Sequence, residues 1–600
     1  MNFLLVMPKN AAKSPGGYNV FPVGIAYVSA YFKAYTKYNI TTANLEFCDS
    51  PTFEALNTLI TENDIDVICT SGLSRDYYKI KEIIDISRQI KPGIITVIGG
   101  GIISSDPEPA MIALGADIGI IGEGEITLCE LAAALDYKSP LENVPGLIFK
   151  DNNAYTITYI RKEIDDLESI PLPDYDGFDF PKYMASINYD TAYVIASRSC
   201  PFSCTFCFHP SGKKYRQRSM DDLFREIEYL LSNYKVRLLV VSDELFATNK
   251  NRVLDFCVRI KKFNTLWSIQ LRVCDVNAEL LQVMKNSGCY CVSYGLESAD
   301  DSVLKSMRKH ITVSQIENAL KLTHDADIDI QGGFIFGDIA ETTETANRTL
   351  KWNSEHAEYV LELNMINIFP GTPLYNHAVS EGIIRDKVKY LKDGCPLVNV
   401  SQLTDKEYAD LSSYIYESNM KPRYAPKEYQ IVSCSDDSQC SITIKCNKCH
   451  HEQTIAADAL HNQITWCSKC NQRYLVDAFA KLNHEDKESI SLFSAESKVA
   501  LWGAGEICIK LLNAYNEFNT ERYAVVDISH SRQGKTICGK EIFSPSIINE
   551  MNITSVIICV VRRGHEIIDH ISREFLSVRN IFSPIAHHDA ILRFERFSIK

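Results

Sequence analysis

Short apolar runs alternate with amphipathic stretches along most of the chain, and the alternation falls into blocks separated by segments that break it. In residues 1–138 the apolar runs lie near 2–7, 41–46, 65–70, 95–98 and 117–121, with 3.6-residue periodicity between them. That pattern predicts five strands in a doubly wound, flavodoxin-like sheet. Ligand-facing turns of such sheets lie at strand carboxyl ends. Thr70-Ser71-Gly72, Gly99-Gly100-Gly101 and Gly122-Glu123-Gly124 would then surround one crevice. Glycines there serve tight turns or close backbone approach to a bulky ligand, and three in succession after a strand favour the second.

Residues 139–189 break the pattern with a hairpin around Asp151-Asn152-Asn153 and the proline-bearing Ile170-Pro171-Leu172-Pro173-Asp174, which reads as a linker. Strand and helix alternate again over 190–375, with strands near 192–197, 237–242, 267–272, 290–295, 328–336 and 360–368. Six repeats predict a partial (β/α)6, TIM-like barrel with chemistry at the strand carboxyl ends. Residues 376–430 read as helical and peripheral, 431–480 as a small cysteine-bearing module, and 496–600 as a further α/β unit. The fold class is α/β and multidomain.

Apolar residues at 46% and charged residues at 23% are the balance of a chain able to bury large cores, so disorder is not expected. A net charge of −14 argues against broad attraction to nucleic acid or anionic lipid, and a small-molecule substrate fits better. The start MNFLLVMPKN has no basic residue before a short apolar run, and no stretch approaches membrane-spanning length. The expectation is a cytoplasmic protein with no membrane partner. In that reducing compartment clustered cysteines read as metal ligands and scattered ones as core fillers. Of twenty cysteines seven are clustered; the others, Cys434 and Cys440 among them, have no metal-type spacing, and buried thiol is the reading for most of them.

The first cluster is Ser199-Cys200-Pro201-Phe202-Ser203-Cys204-Thr205-Phe206-Cys207, in the turn after the first barrel strand. A four-iron cluster takes one thiolate per iron, so three close cysteines leave one iron open to a ligand. The alternative is a closed zinc shell of the three cysteines and His209, against which stands the crowding of all ligands in one loop.

The C-x3-C-x2-C spacing, with aromatic Phe206 just before the last cysteine, resembles the radical-SAM superfamily. The resemblance implies a 4Fe-4S cluster on Cys200, Cys204 and Cys207 whose open iron is chelated by S-adenosylmethionine. One-electron reduction of the sulfonium then gives methionine and a 5′-deoxyadenosyl radical. Protein groups bind and orient the cofactors. Glu244, in Ser242-Asp243-Glu244, matches the carboxylate of the superfamily's Gly-Gly-Glu position without its glycines and suits the methionine ammonium. Arg272 suits the methionine carboxylate, and Glu297, in Gly295-Leu296-Glu297-Ser298, a ribose hydroxyl or the ammonium. Each alone reads equally as a surface charge or salt-bridge partner; their shared place at successive strand ends lifts the set. Gly337-Asp338-Ile339-Ala340-Glu341-Thr342 resembles a Gly-x-Pro-Gly-Glu-Thr turn but lacks the proline and second glycine.

The doubly wound block ahead of this barrel, with Phe21-Pro22-Val23-Gly24-Ile25-Ala26-Tyr27 and Gly122-Glu123-Gly124-Glu125, resembles the cobalamin-dependent radical-SAM subgroup over about residues 1–420. By that resemblance Ser71, Gly72, Gly99 to Gly101 and Gly122 to Gly124 cradle cobalamin. Residues 1–138 contain no histidine. The alternatives are therefore cobalamin without a protein imidazole below it, or a domain that no longer binds it.

Cys446-x2-Cys449 and Cys467-x2-Cys470 have the spacing of a structural zinc ribbon, with His450 and His451 beside it as spectators. Gly503-Ala504-Gly505 after a strand, and Asp527 at the end of the next, form a partial dinucleotide fingerprint with Cys508 at the third glycine position. This Rossmann-like unit resembles nucleotide-fold domains of sugar-modifying and cell-surface polysaccharide proteins, and binding or assembly is expected of it before hydride transfer.

The reading is a radical-SAM methyltransferase using cobalamin to methylate an unactivated carbon in a specialised or cell-surface metabolite. The substrate is a small molecule, carrier- or nucleotide-linked in one version, and the electron donor a flavodoxin or ferredoxin. The alternatives are a radical rearrangement, cyclisation or oxidation without methyl transfer, and a metal-bearing scaffold that recruits substrates. The methylthiotransferase variant is disfavoured because Cys48, Cys69 and Cys129 of residues 1–138 do not read as a second set of three cluster-ligand cysteines.

Overall fold

The computed structural model describes residues 1–9, 21–48, 50–151, 154–186, 190–419, 425–435, 438–460, 462–470, 472–482, 498–528, 532–560, 564–586 and 592–597. The hairpin tip Asn152-Asn153 and the joins at 187–189 and 483–497 lie outside them. The described residues divide into two compact units, one up to Leu403 and one from Thr404. That division falls inside the segment 376–430, whose helices Pro373–Ser380 and Lys387–Lys392 go with the first unit and Asp405–Asn419 with the second.

The first unit opens with a seven-stranded sheet of β1 (Asn2–Met7), β2 (Asn39–Asn44), β3 (Val67–Ser71), β4 (Ile95–Gly99), β5 (Ile118–Ile120), β6 (Leu147–Asp151) and β7 (Ala154–Ile157). Its order is β2-β1-β3-β4-β5-β6-β7, parallel through β5 and antiparallel beyond. The 2-1-3-4-5 order is that of flavodoxin-like sheets, with ligand turns at the carboxyl ends. Phe3 to Val6 of β1 are fully buried because helices cover both faces, which is why the run is continuously apolar.

Two features of 139–189 correct the linker reading. The hairpin β6–β7 extends the first sheet, Ile148 pairing with Gly119. Beyond it Tyr175, Phe178, Phe180 and Tyr183 are buried, with Phe21 5.0 Å from Phe180 and 5.4 Å from Tyr175. An aromatic cluster of that size fixes a segment by the apolar area it buries, whatever its prolines suggest.

The barrel strands are β8 (Thr191–Val194), β9 (Leu238–Val241), β10 (Leu266–Leu271), β11 (Cys289–Glu297), β12 (Asp329–Phe336) and β13 (Glu362–Met365). They pair in chain order, all parallel, in an open six-stranded sheet. One apolar core joins the two sheets' helices and loops: Ile102, Ile103 and Met111 pack in the same cluster as Met307, Leu374 and Tyr375. The turns of the first sheet are thereby held against the barrel.

The second unit contains antiparallel strands Glu428–Cys434, Gln439–Lys445 and Glu452–Asp458, a hairpin of Asn462–Trp466 and Arg473–Asp477, and a seven-stranded mixed sheet spanning Thr536 to Phe597 and 499–526. Cys434 and Cys440 depart from the buried thiol expected of most scattered cysteines. They stand opposite each other on neighbouring antiparallel strands, Cα atoms 4.0 Å apart, and are joined as a disulfide.

Candidate active site

The three cysteines lie on a loop whose ends are stitched together, since Ser197–Arg198 pairs antiparallel with Arg216–Gln217. Inside it Ser199 takes a left-handed conformation (φ 68°) and donates its hydroxyl to the Gly212 carbonyl at 2.7 Å. The loop is braced from outside by Thr205, whose N–H donates to Met307 at 3.1 Å and whose carbonyl accepts from the Leu374 N–H at 2.9 Å.

All three cysteines line one cavity of ≈ 570 Å³. Its other walls come from Leu73, Arg75, Gly101 and Ser105 of the first sheet's turns, and from Glu244, Arg272, Gly295 and Lys309 of the barrel. A hydrogen bond from Cys207 holds the Cys204 thiol below its ordinary range, against burial and with help from Lys309. The same contact raises Cys207, and burial raises Cys200.

The zinc alternative fails on geometry. Ligands of one tetrahedral zinc at ~2.3 Å stand about 3.8 Å apart. Among the described residues, only Cys446, Cys449, Cys467 and Cys470 bring three or more such atoms within 4.8 Å of one another. His209 instead pairs its Nδ1 with Glu244 at 2.5 Å, which raises the imidazole pKa. Three thiols of one loop that line one cavity suit a polynuclear cluster with one iron per thiolate.

Glu244 lines the cavity and is taken by His209. Arg272 lies 3.8 Å over the Phe202 ring and donates to the carbonyls of Lys309 (3.3 Å) and His310 (3.1 Å). Glu297, at a bulge where β11 meets β12, pairs with Lys309 at 2.7 Å. Gly295 leaves room for that pair, which would overlap a side chain there. Phe206 packs at the edge of the shared core with the Lys309 ammonium 6.0 Å from its ring. Ser298 is buried away from the cavity walls, 3.3 Å from Thr349, and accepts from the Asp300 N–H at 3.2 Å. Asp243, beside Glu244, accepts from Ala196 N–H (2.7 Å) and Ser197 Oγ (2.8 Å), and burial pushes its carboxyl up to about 7.

In the first sheet Gly100 (φ 83°) lies so close to Gly72 that a Cβ would stand 2.8 Å from its carbonyl, so two ligand-side turns interlock. Gly101 packs under Leu73, while Gly99 and Gly122 face open space. Thr70, at the end of β3, has a buried hydroxyl without a hydrogen-bond partner. The open glycines and the orphaned hydroxyl fit a bulky polar ligand at these turns. Glu123 points elsewhere: it accepts from Arg198 at 2.6 Å and Arg216 at 2.9 Å, with Glu125 taking the second arm of Arg198 at 2.6 Å. It is an anchor for the cysteine loop.

Sequence reasoning passed over Lys309, the His209–Glu244 pair and the arginines bracketing the cysteine loop. The basic run Arg308-Lys309-His310 just ahead of the helix Val313–Asp325, and the pair Arg216 and Arg218 after the cysteines, were the available signals.

In the second unit the sulfurs of Cys446 and Cys470, and of Cys449 and Cys467, lie 3.5 Å apart in a four-cysteine group of which Cys446 and Cys467 are buried. His451 contacts Ser468, not the sulfurs. Asp527 accepts from the Ala504 N–H (2.8 Å) and Arg532 (3.0 Å), so the acid after the Gly503-Ala504-Gly505 turn is engaged within its own unit.

A three-cysteine loop after the first strand of a parallel sheet lines one cavity with the ligand turns of a doubly wound domain, an arrangement with room for two cofactors. Family models match accordingly: the radical SAM superfamily over residues 194–352, the B12 binding domain over 12–132, and a C2185-like, N-terminal model over 495–582. The chain is a radical-SAM enzyme carrying a B12-binding domain. The domains imply a 4Fe-4S cluster, S-adenosylmethionine and cobalamin. An uncharacterized methyltransferase of Pyrococcus horikoshii is 28% identical over 391 residues, 64% of this chain and 84% of the relative. An anaerobic magnesium-protoporphyrin IX monomethyl ester cyclase of Cereibacter sphaeroides is 26% identical over 65% of each chain, so slightly less than two thirds of that relative is spanned. Among solved structures, the radical S-adenosylmethionine methyltransferase TsrM from Kitasatospora setae superposes with TM-score 0.54 at 17% identity, covering 64% of this chain and 75% of TsrM. The cobalamin-dependent radical enzyme OxsB gives 0.52 at 18%, covering 65% and 56%. At these identities the likeness is one of fold.

Proposed function

We propose that the protein is a cobalamin-dependent radical-SAM methyltransferase acting on an unactivated carbon of a small molecule, specialised or cell-surface in kind. The observation that carries this is the single cavity walled both by the cysteine loop and by Leu73, Arg75, Gly101 and Ser105 of the B12-binding domain. Two cofactors can meet a substrate there without crossing the protein.

In this reading Cys200, Cys204 and Cys207 hold the cluster, which supplies reductive cleavage of S-adenosylmethionine, while cobalamin supplies the methyl group. Glu244 orients the methionine ammonium, with His209 fixing the carboxylate. Arg272 holds the cysteine loop and the 307–310 segment in register by stacking on Phe202. The turns at Ser71-Gly72, Gly99 to Gly101 and Gly122 receive the corrin, and Thr70 donates to it. The apolar walls Leu73, Phe202, Phe208 and Phe369 exclude water from the reacting groups. A low-potential flavodoxin or ferredoxin delivers the electron in the reducing cytoplasm.

We also read the four-cysteine group as a structural zinc ribbon. It shares one apolar core with the last sheet, a Rossmann-like unit used for binding or assembly. The similarity to a cyclase supports a second reading, radical cyclisation or oxidation without methyl transfer. S-adenosylhomocysteine formation separates the two, since cobalamin in the second reading is an electron relay or absent. The anaerobic, iron- and cobalamin-loaded full chain with S-adenosylmethionine and reductant should release it in step with 5′-deoxyadenosine; deoxyadenosine alone favours the second reading.

A further inference from the structure

Lys309 sits in a segment pressed against the cysteine loop. The Met307 carbonyl accepts from Thr205, and the Arg308 carbonyl faces the Cys204 thiol at 3.9 Å. Arg308 and His310 on either side are both left-handed (φ 54°), and the Lys309 N–H donates back to Leu304 at 3.0 Å. Arg272 clamps the segment by two carbonyls while stacking on Phe202 of the cysteine loop. A lysine held so tightly has little freedom to seek solvent. Its side chain is 16% exposed and that of Glu297, 2.7 Å away, 11%. The ammonium and carboxylate fill the space over Gly295, where any side chain would displace them.

The pair is oriented. Lys309 lines the cavity that Cys200, Cys204 and Cys207 line, whereas Glu297 is not among its walls. The ammonium lies 6.0 Å from the ring of Phe206, the residue just before Cys207, and Glu297 holds it from behind at 2.7 Å.

An electron entering a cluster of anionic thiolates meets repulsion that scales with local net charge, and Fe–S potentials follow charge, hydrogen bonding and exposure. We propose that Lys309, aimed by Glu297, is a positioning residue that raises the reduction potential of the cluster on Cys200, Cys204 and Cys207. This rests on the reading of that triad as the cluster site. The step is one electron passing from a low-potential donor protein to the cluster, with no bond or proton change at Lys309.

The test is a potentiometric titration of the anaerobically reconstituted full chain, the reduced cluster being counted by electron paramagnetic resonance. Lys309→Met should lower the reduced-to-oxidised ratio about tenfold at fixed potential, ~59 mV for one electron. Lys309→Arg should stay near wild type. Glu297→Gln should move the ratio the opposite way, because it removes the negative charge behind the ammonium. An unchanged ratio in an iron-replete Lys309→Met protein, or shifts of the same sign in Lys309→Met and Glu297→Gln, overturns the proposal. If Lys309→Met assembles no cluster, Glu297→Gln decides: no upward shift overturns it. A wild-type chain that assembles no cluster overturns the triad reading beneath it instead.

Discussion

Glu123 meets Arg216 at 2.9 Å through both carboxylate oxygens, with side chains only 5% and 3% exposed. Arg216 pairs across the two-residue ribbon with Arg198, which the same carboxylate also binds. A turn of the B12-binding domain thereby anchors the base of the cysteine loop. Removing one partner of a buried pair strands the other charge and costs about 3–5 kcal/mol. Glu123→Ala should lower the thermal unfolding midpoint and speed deuterium exchange across 199–215. Unchanged exchange there would contradict the anchoring role.

The turns of the first sheet separate stability from ligand binding. Gly100→Ala forces a side chain into a backbone conformation that only glycine adopts easily and against the Gly72 carbonyl, at a cost of about 1–3 kcal/mol. Gly99→Val meets open space and should leave the apo-protein's unfolding midpoint nearly unchanged. It should still weaken cobalamin binding by roughly tenfold, about 1.4 kcal/mol, in an absorption titration. Full cobalamin affinity in Gly99→Val would remove these turns from the binding site.

Asp243 and Glu341 are both pushed up to about 7 by burial. Between about pH 4 and 7 the folded protein then holds protons that the unfolded chain has released, so stability falls as pH rises through that window. Asp243→Asn and Glu341→Gln should flatten the fall, measured as unfolding midpoint against pH. A slope identical to wild type in the double variant would show that these two carboxyls do not set it.

The four-cysteine group should retain one zinc per chain through anaerobic purification, read by elemental analysis. The Tyr474 hydroxyl, 3.2 Å from Cys446, and the Cys449 N–H favour the thiolate that zinc requires, against burial. Cys467→Ser should lose the metal and destabilise the second unit, whose core runs through Cys446 and Cys467 into the last sheet. Zinc retained at wild-type level in Cys467→Ser would disprove tetrathiolate ligation.

Local spacing carried much of the molecule. Strand and helix periodicity marks both parallel sheets within a few residues, and the cysteine triad and four-cysteine set are legible because their ligands are close in sequence. Other features depended on tertiary choice. Nothing local says that Leu147–Asp151 will pair with β5 and not stand free, or that Cys434 will face Cys440 across a strand pair. Glu123 sits in a glycine turn that looks made for a ligand, yet its partners, Arg198 and Arg216, are 75 and 93 residues away. Glu244 and Glu297 were recognisable as strand-end carboxylates. Their partners, His209 and Lys309, come from loops whose approach is set by the shared core around Met307 and Leu374.

Product analysis of the anaerobic, cluster- and cobalamin-loaded enzyme with S-adenosylmethionine, reductant and candidate substrates decides whether the chain transfers a methyl group. S-adenosylhomocysteine and 5′-deoxyadenosine should appear in step, both lost in Cys204→Ala. Deoxyadenosine without S-adenosylhomocysteine would contradict methyl transfer, and neither product from any substrate would contradict the radical reading itself.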